Sequence, residues 1–140
     1  MSMMMLDARA SLFGNALAIK ATYTRMNADV LAVVRSIPAG RLTTVDAIST
    51  FLGVPVRHVT FLLARRFDAD RESVPWHRVL AHRGALGRVL YNAAGRSQAD
   101  LLADDGVTVG YRGRVAEFNA RYFEPSTETT GVVPAGLRRS

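Results

Sequence analysis

The chain has 140 residues, 49% of them hydrophobic, which is enough for one compact domain with its own core. It carries 18 Lys and Arg against 12 Asp and Glu, a formal charge of +6, and no Cys. The missing Cys excludes disulfides, thiolate metal sites and thiol nucleophiles, while the basic surplus suits a polyanion whose counterions are released as its phosphates are neutralised.

Three His without paired spacing argue against a metal, and nothing calls for a cofactor. No apolar run approaches the roughly 20 residues of a membrane span. The apolar start, Met1 to Leu6, lacks the basic region of a signal peptide, so a cytoplasmic location is expected, nucleoid-associated in a bacterium.

Residues 1–25 show no clean period and read as an N-terminal extension of uncertain order. A helix is expected from an N-cap at Asn27, with Val30, Leu31, Val33, Val34 and Ile37 on its apolar stripe. Ile37-Pro38-Ala39-Gly40 ends it, because proline disfavours helical geometry at the residue before it. Thr43 or Thr44 can cap a second helix bearing Val45, Ile48, Phe51 and Leu52, with Asp46 in its first turn. Gly53 closes that helix and Pro55 opens a third, which runs to about Arg66 with Val56, Val59, Leu62 and Leu63 on one side. Arg57, His58 and Thr60 then point elsewhere. Two short helices joined at a glycine, the second opening with basic residues, form either a helix-turn-helix or an ordinary αα-hairpin. Periodicity alone does not choose.

Phe67 to Ser73 reads as a polar loop. Ser97 and Asp100 form a capping box for a helix through Leu101, Leu102 and Ala103, stopped by Gly106. Val107–Val109 and Arg114–Phe118 flank a Gly-Tyr-Arg-Gly turn and suggest a short β-hairpin. The segment 124–140, rich in Ser, Thr, Gly and Pro, is expected to be disordered. The domain proper is therefore placed at 26–123.

Pro75-Trp76-His77-Arg78-Val79 resembles the active-site signature of the O6-alkylguanine-DNA alkyltransferases, Pro-Cys-His-Arg-Val, with Trp in place of the alkyl-accepting Cys. That replacement marks the alkyltransferase-like proteins, which bind alkylated guanine without repairing it directly. Ile37-Pro38-x-Gly40-Arg41-x-Thr43-Thr44, Pro55-x-Arg57-x-Val59, Gly84-Ala85-Leu86-Gly87 and Leu101-Leu102-x-x-Asp105-Gly106-Val107 resemble further family segments in the same order. The resemblance implies a mainly α fold with a short β-hairpin: a winged-helix-like helix-turn-helix domain of the alkyltransferase C-terminal type.

It also implies site residues. Pro75, Trp76, His77, Arg78, Val89 and Leu90 would form a lesion pocket, with His77 and Asp105 a retained structural network; Asp stands where the family usually has Glu. Arg57, His58, Thr43, Thr44, Val45 and Thr60 would meet DNA, with Arg57 filling the gap left by a flipped nucleotide. Val45 occupies the place where the family usually has a Tyr that contacts phosphate. A chain without Cys cannot transfer an alkyl group to a thiolate, so no enzyme activity is expected.

The implied function is a monomeric, non-enzymatic sensor. It would bind O6-alkylguanine in double-stranded DNA by base flipping and flag it for nucleotide excision repair proteins. The alternative is a sequence-tolerant or regulatory helix-turn-helix protein without lesion recognition, which Val45 favours. A hydrolase using His77 and Asp105 is disfavoured, since no Ser sits in a nucleophile elbow.

Overall fold

The computed structural model describes residues 2–65 and 74–138, with side chains from residue 14 onward. The polar loop expected at Phe67–Ser73 lies outside the described residues.

Helix α1 spans Ser2–Arg35, far longer than the helix expected from Asn27. Its sequence holds no Pro and a single Gly, so nothing interrupts it before Pro38. The early part gave no apolar period because it has no core to face: every residue from Gly14 to Arg25 is exposed. Packing starts with Val30, Val33 and Val34, all fully buried. Asn27 is thus an interior residue of α1 and caps nothing.

Strand β1, Thr43–Thr44, runs straight into helix α2, Val45–Leu52. The Thr44 side chain accepts from the Ala47 amide at 3.1 Å, which selects it over Thr43 as the N-cap. Gly53 ends α2 in the left-handed conformation at φ 70°. Helix α3, Val56–Ala64, follows after Pro55 and packs on α2 through Val59 and Leu63. Val56, expected inside, is 45% exposed, because it sits in the first turn, before α3 reaches the core.

The regular sheet is a two-stranded parallel ladder, β1 with β2, Val79–Leu80, pairing Thr43 with Val79 and Thr44 with Leu80. The expected C-terminal hairpin is present as a turn, closed by one antiparallel bridge, Val109 with Val115, and by the Gly110 amide on the Arg114 carbonyl at 2.7 Å. Helix α4, Gln98–Asp104, opens with the expected capping box of Ser97 and Asp100. Helices α5, Phe118–Arg121, and α6, Thr127–Thr130, complete the chain.

The tail is not disordered over its described part, residues 124–138. A capping box at Ser126 starts α6, Val132 joins the main core at 7% exposure, and Arg138 meets Asp29 of α1 at 2.6 Å. The polar composition hid these anchors. Two adjacent clusters form the core. One unites α1, α2, α3, Val74, Trp76 and Val79; the other holds Leu42, Leu80, Leu102, Val107, Val115 and Phe118.

Ile48 is fully buried between α1 and α3, so Ile48→Ala should lower the unfolding free energy by about 2–5 kcal/mol in urea titrations. Gly53 has open space around its missing Cβ, so Gly53→Ala should cost only the backbone strain, about 1 kcal/mol.

Candidate nucleic-acid interface

Trp76, His77 and Arg78 form a single 3-10 turn whose exit is β2. Because β2 pairs with β1, and β1 leads into α2, this turn is held in register with the helix-turn-helix. Two side chains fix the turn itself. Gln98, the buried first residue of α4, donates to the His77 carbonyl at 3.1 Å and the Val79 carbonyl at 2.8 Å. Asp105, just past the end of α4, receives Arg78 as a fork, Nε to Oδ2 at 2.7 Å and Nη2 to Oδ1 at 3.1 Å. Arg78 also donates Nη1 to the Ile37 carbonyl at 2.8 Å, tying the turn to the end of α1.

His77 Nε2 lies 2.9 Å from the same Asp105 Oδ2. Burial is the largest influence on this imidazole and lowers its pKa from the ordinary value, although the hydrogen bond to Asp105 works the other way. His77 is therefore neutral at pH 7, with Nε2–H as the donor assigned by the carboxylate it faces. For Asp105, burial acts to raise the pKa, but the hydrogen bonds from Arg78 and His77 outweigh it and hold the carboxyl below its ordinary value. His77 and Asp105, expected as a network, are thus brought together, with Arg78 as its strongest arm.

A cavity of about 560 Å³ opens beside this turn, lined by Val74, Pro75, Trp76, His77, Arg78 and Leu101, with Arg35 and the loop Asn92-Ala93-Ala94 on its other side. Its size falls in the range of about 300–1,000 Å³ common for small-ligand sites. Trp76 is only 3% exposed and belongs to the main core as well as to the cavity wall. The structure therefore brings Pro75, Trp76, His77 and Arg78 together on one cavity wall. Val89 and Leu90 are not on it: Val89 is 62% exposed and Leu90 packs against the main core.

The outer wall comes instead from Asn92, Ala93 and Ala94, which sequence reasoning missed. Their loop is a closed turn in which the Arg96 amide donates to Asn92 Oδ1 at 2.8 Å, and Gly95 adopts φ 81°. The Asn-Ala-Ala-Gly sequence was the available signal. Arg96 pairs with Asp104 and moors this loop to α4.

The six residues expected to meet DNA divide into two groups. Arg57 and Thr60 are exposed on α3, and His58 is half-buried, its Nε2 2.8 Å from Asn27 Oδ1 and its ring 5.7 Å from that of Tyr23. Thr43, Thr44 and Val45 turn inward, at 0%, 6% and 2% exposure. Thr44 is committed to its cap, and Val45 faces the core because the first turn of α2 must cover it. Of the three, Thr44 alone lines a cavity, one of about 430 Å³ shared with Asp46, Arg83 and Tyr122. Phe61, unremarked in the sequence, is 54% exposed on the outer side of α3 with the Arg65 guanidinium 5.5 Å above its ring.

Among the described residues, no group of three or more His, Asp or Glu is placed to hold a metal ion. No described helix is long and apolar enough to cross a membrane.

Residues 25–107 match the family described as 6-O-methylguanine DNA methyltransferase, DNA binding domain. Alkyltransferase-like protein 1 of Schizosaccharomyces pombe is 29% identical over 89 residues, covering 64% of this chain and 82% of the relative. Two solved structures share the fold at 24% identity, and each match covers 97% of the solved chain. One is S. pombe Atl1 in complex with damaged DNA containing O6-carboxymethylguanine, at a TM-score of 0.58 over 73% of this chain; the other is S. pombe ATL in complex with DNA, at 0.54 over 76%.

The acid limb of stability follows from His77 and Asp105. Unfolded His77 takes up a proton near its ordinary value of 6.5 whereas the folded one resists, so stability should begin to fall as pH drops below about 6.5. The contribution of Asp105 is present above its ordinary value of 3.8 and is lost as pH falls through the lower folded value. Denaturation midpoints measured from pH 8 to 3 should show both steps. His77→Gln should remove the upper one and keep the lower.

Proposed function

The chain belongs to the 6-O-methylguanine DNA methyltransferase DNA-binding-domain family, and from that premise we propose that it is a non-enzymatic sensor of O6-alkylguanine in duplex DNA. The observation that carries this reading is Trp76, which stands at the wall of a formed cavity in a chain without Cys. An alkyl transfer needs a soft nucleophile, and indole carbon does not supply one under ordinary conditions. An indole face does supply an apolar surface for an extruded base and its alkyl group, where aromatic–base stacking is worth on the order of 1–3 kcal/mol.

In this reading α3 enters the minor groove, the lesion rotates out of the stack, and Arg57 fills the space it leaves. The planar guanidinium can both stack on the flanking bases and hydrogen-bond the orphaned partner. His77, neutral and paired with Asp105, then serves to shape the pocket, since no thiol is there to activate. The S. pombe relative in complex with DNA containing O6-carboxymethylguanine supports this ligand class. A bound lesion left chemically intact must be passed on, so the proposed partners are nucleotide excision repair proteins acting on the marked duplex.

A second reading is favoured by Val45, which is 2% exposed where the family usually places a phosphate-contacting Tyr. Here the chain would grip duplex DNA without extruding a base.

Salt-controlled titrations of matched duplexes, one with O6-methylguanine and one with guanine, separate the two. The sensor reading expects tighter binding of the lesion by about tenfold, reduced to near parity in Trp76→Leu, a variant that keeps the position apolar and loses less core volume than Ala would. Equal affinities in the wild-type protein would establish the second reading instead. Arg57→Ala should weaken lesion binding more than plain-duplex binding; equal losses would make Arg57 a phosphate contact.

A further inference from the structure

The largest cavity described lies away from Trp76. It is a groove of about 980 Å³ between the exposed part of α1 and the outer side of α3. Asn15, Ile19, Thr22 and Tyr23 line it from one face of α1, and Arg57 and Phe61 from α3. His58 closes its floor, held to α1 by Asn27 and by the Tyr23 ring. This part of α1 lies almost wholly outside the matched family segment, which starts at residue 25.

Charge indicates what could occupy it. The lining itself carries one cation, Arg57, and no carboxylate. Elsewhere on the two helices Lys20 and Arg25, between Gly14 and Ala28, and Arg65 at the end of α3 add positive charge, and neither stretch holds a carboxylate. The nearest acid on α1, Asp29, is already paired with Arg138. A second copy of the chain would bring its own +6 charge against this face, whereas a phosphodiester strand would be drawn to it. The groove is also continuous with α3, the helix that faces DNA in the proposed mode. A lining of apolar, aromatic and small polar side chains around the one guanidinium of Arg57 suits the sugar edges and phosphates of a strand. Length fits as well. The part of α1 preceding the matched segment rises about 35 Å, close to one turn of duplex.

We propose that α1 is a DNA-binding arm and that the α1–α3 groove takes the sugar-phosphate backbone of the duplex flanking the site gripped by α3. The arm lengthens the footprint and adds affinity without reading sequence or lesion.

The test uses the full chain and undamaged duplexes, so it stands apart from the lesion reading. Thr22 and Thr24 are both exposed, and each hydroxyl donates to the carbonyl four residues earlier, but only Thr22 lines the groove. Thr22→Glu and Thr24→Glu therefore make the same charge change on different faces of one helix. Thr22→Glu should weaken binding to a duplex of about 24 base pairs roughly tenfold and flatten its salt slope by about one unit. It should leave binding to a duplex of about 10 base pairs, too short to reach both α3 and the arm, within about twofold. Thr24→Glu should leave both within about twofold of wild type. Equal effects of the two substitutions, or none from either, would overturn the proposal. So would a Thr22→Glu protein that binds DNA as wild type does while changing from a self-associated form to a monomer in light scattering, since the groove would then belong to a second copy.

Discussion

A carboxylate drawn into the protein must be satisfied, and Asp105 is the group on which this constraint falls. Its two oxygens receive three donors from consecutive residues, His77 and Arg78. The guanidinium of Arg78 has further donors to place, and one goes to the carbonyl of Ile37. The consequence reaches across the chain: the end of α1, the turn before β2 and the end of α4 meet at one guanidinium. Removing either partner would leave the other as a half-buried charge without compensation, which makes the arrangement all-or-none. The cavity beside Trp76 owes its shape to this junction.

The same junction explains how the fold serves two tasks. The helix-turn-helix offers its outer face to solvent while its inner face builds the core. The Trp76 turn is brought alongside by only two residues of parallel pairing, β1 with β2. So short a ladder is not a source of stability in itself. Its value is geometric, because strand and helix are contiguous on both sides of it. A shift of one residue would move the Trp76 turn relative to α2 and invert which side chains face the core.

Much of this was legible in the residues. The second and third helices, a cap at Thr43 or Thr44, the glycine at 53 and the capping box at Ser97 are local features, set by side chains within four residues of one another. The Pro-Trp-His-Arg-Val segment stood out because it resembled a known signature, and its first four residues line one cavity. What failed was tertiary. No period announced the first two-thirds of α1, since a helix with no face against a core has no stripe. Thr43 and Val45 looked available to a ligand, yet their burial depends on β2 and on α1, both distant in sequence. The tail looked disordered because Val132 is a lone apolar anchor among polar residues, and one anchor leaves no pattern. Gln98 carries no local signal of its role, although its amide holds the carbonyls of His77 and Val79.

Trp76 has a double membership, in the cavity wall and in the main core, and this bears on how such a protein can change over generations. Exchanging it for a small residue such as Cys would empty much of the indole's volume from the main core. A large-to-small change of this kind typically costs about 3–5 kcal/mol, a sizeable share of the roughly 5–15 kcal/mol that hold a domain together. The surrounding aliphatic side chains would have to enlarge before a nucleophile could be tolerated there. Any change of chemistry at this position is thus coupled to foldability. On the proposed reading, a chain that holds indole at this position has taken a step that single substitutions do not easily reverse.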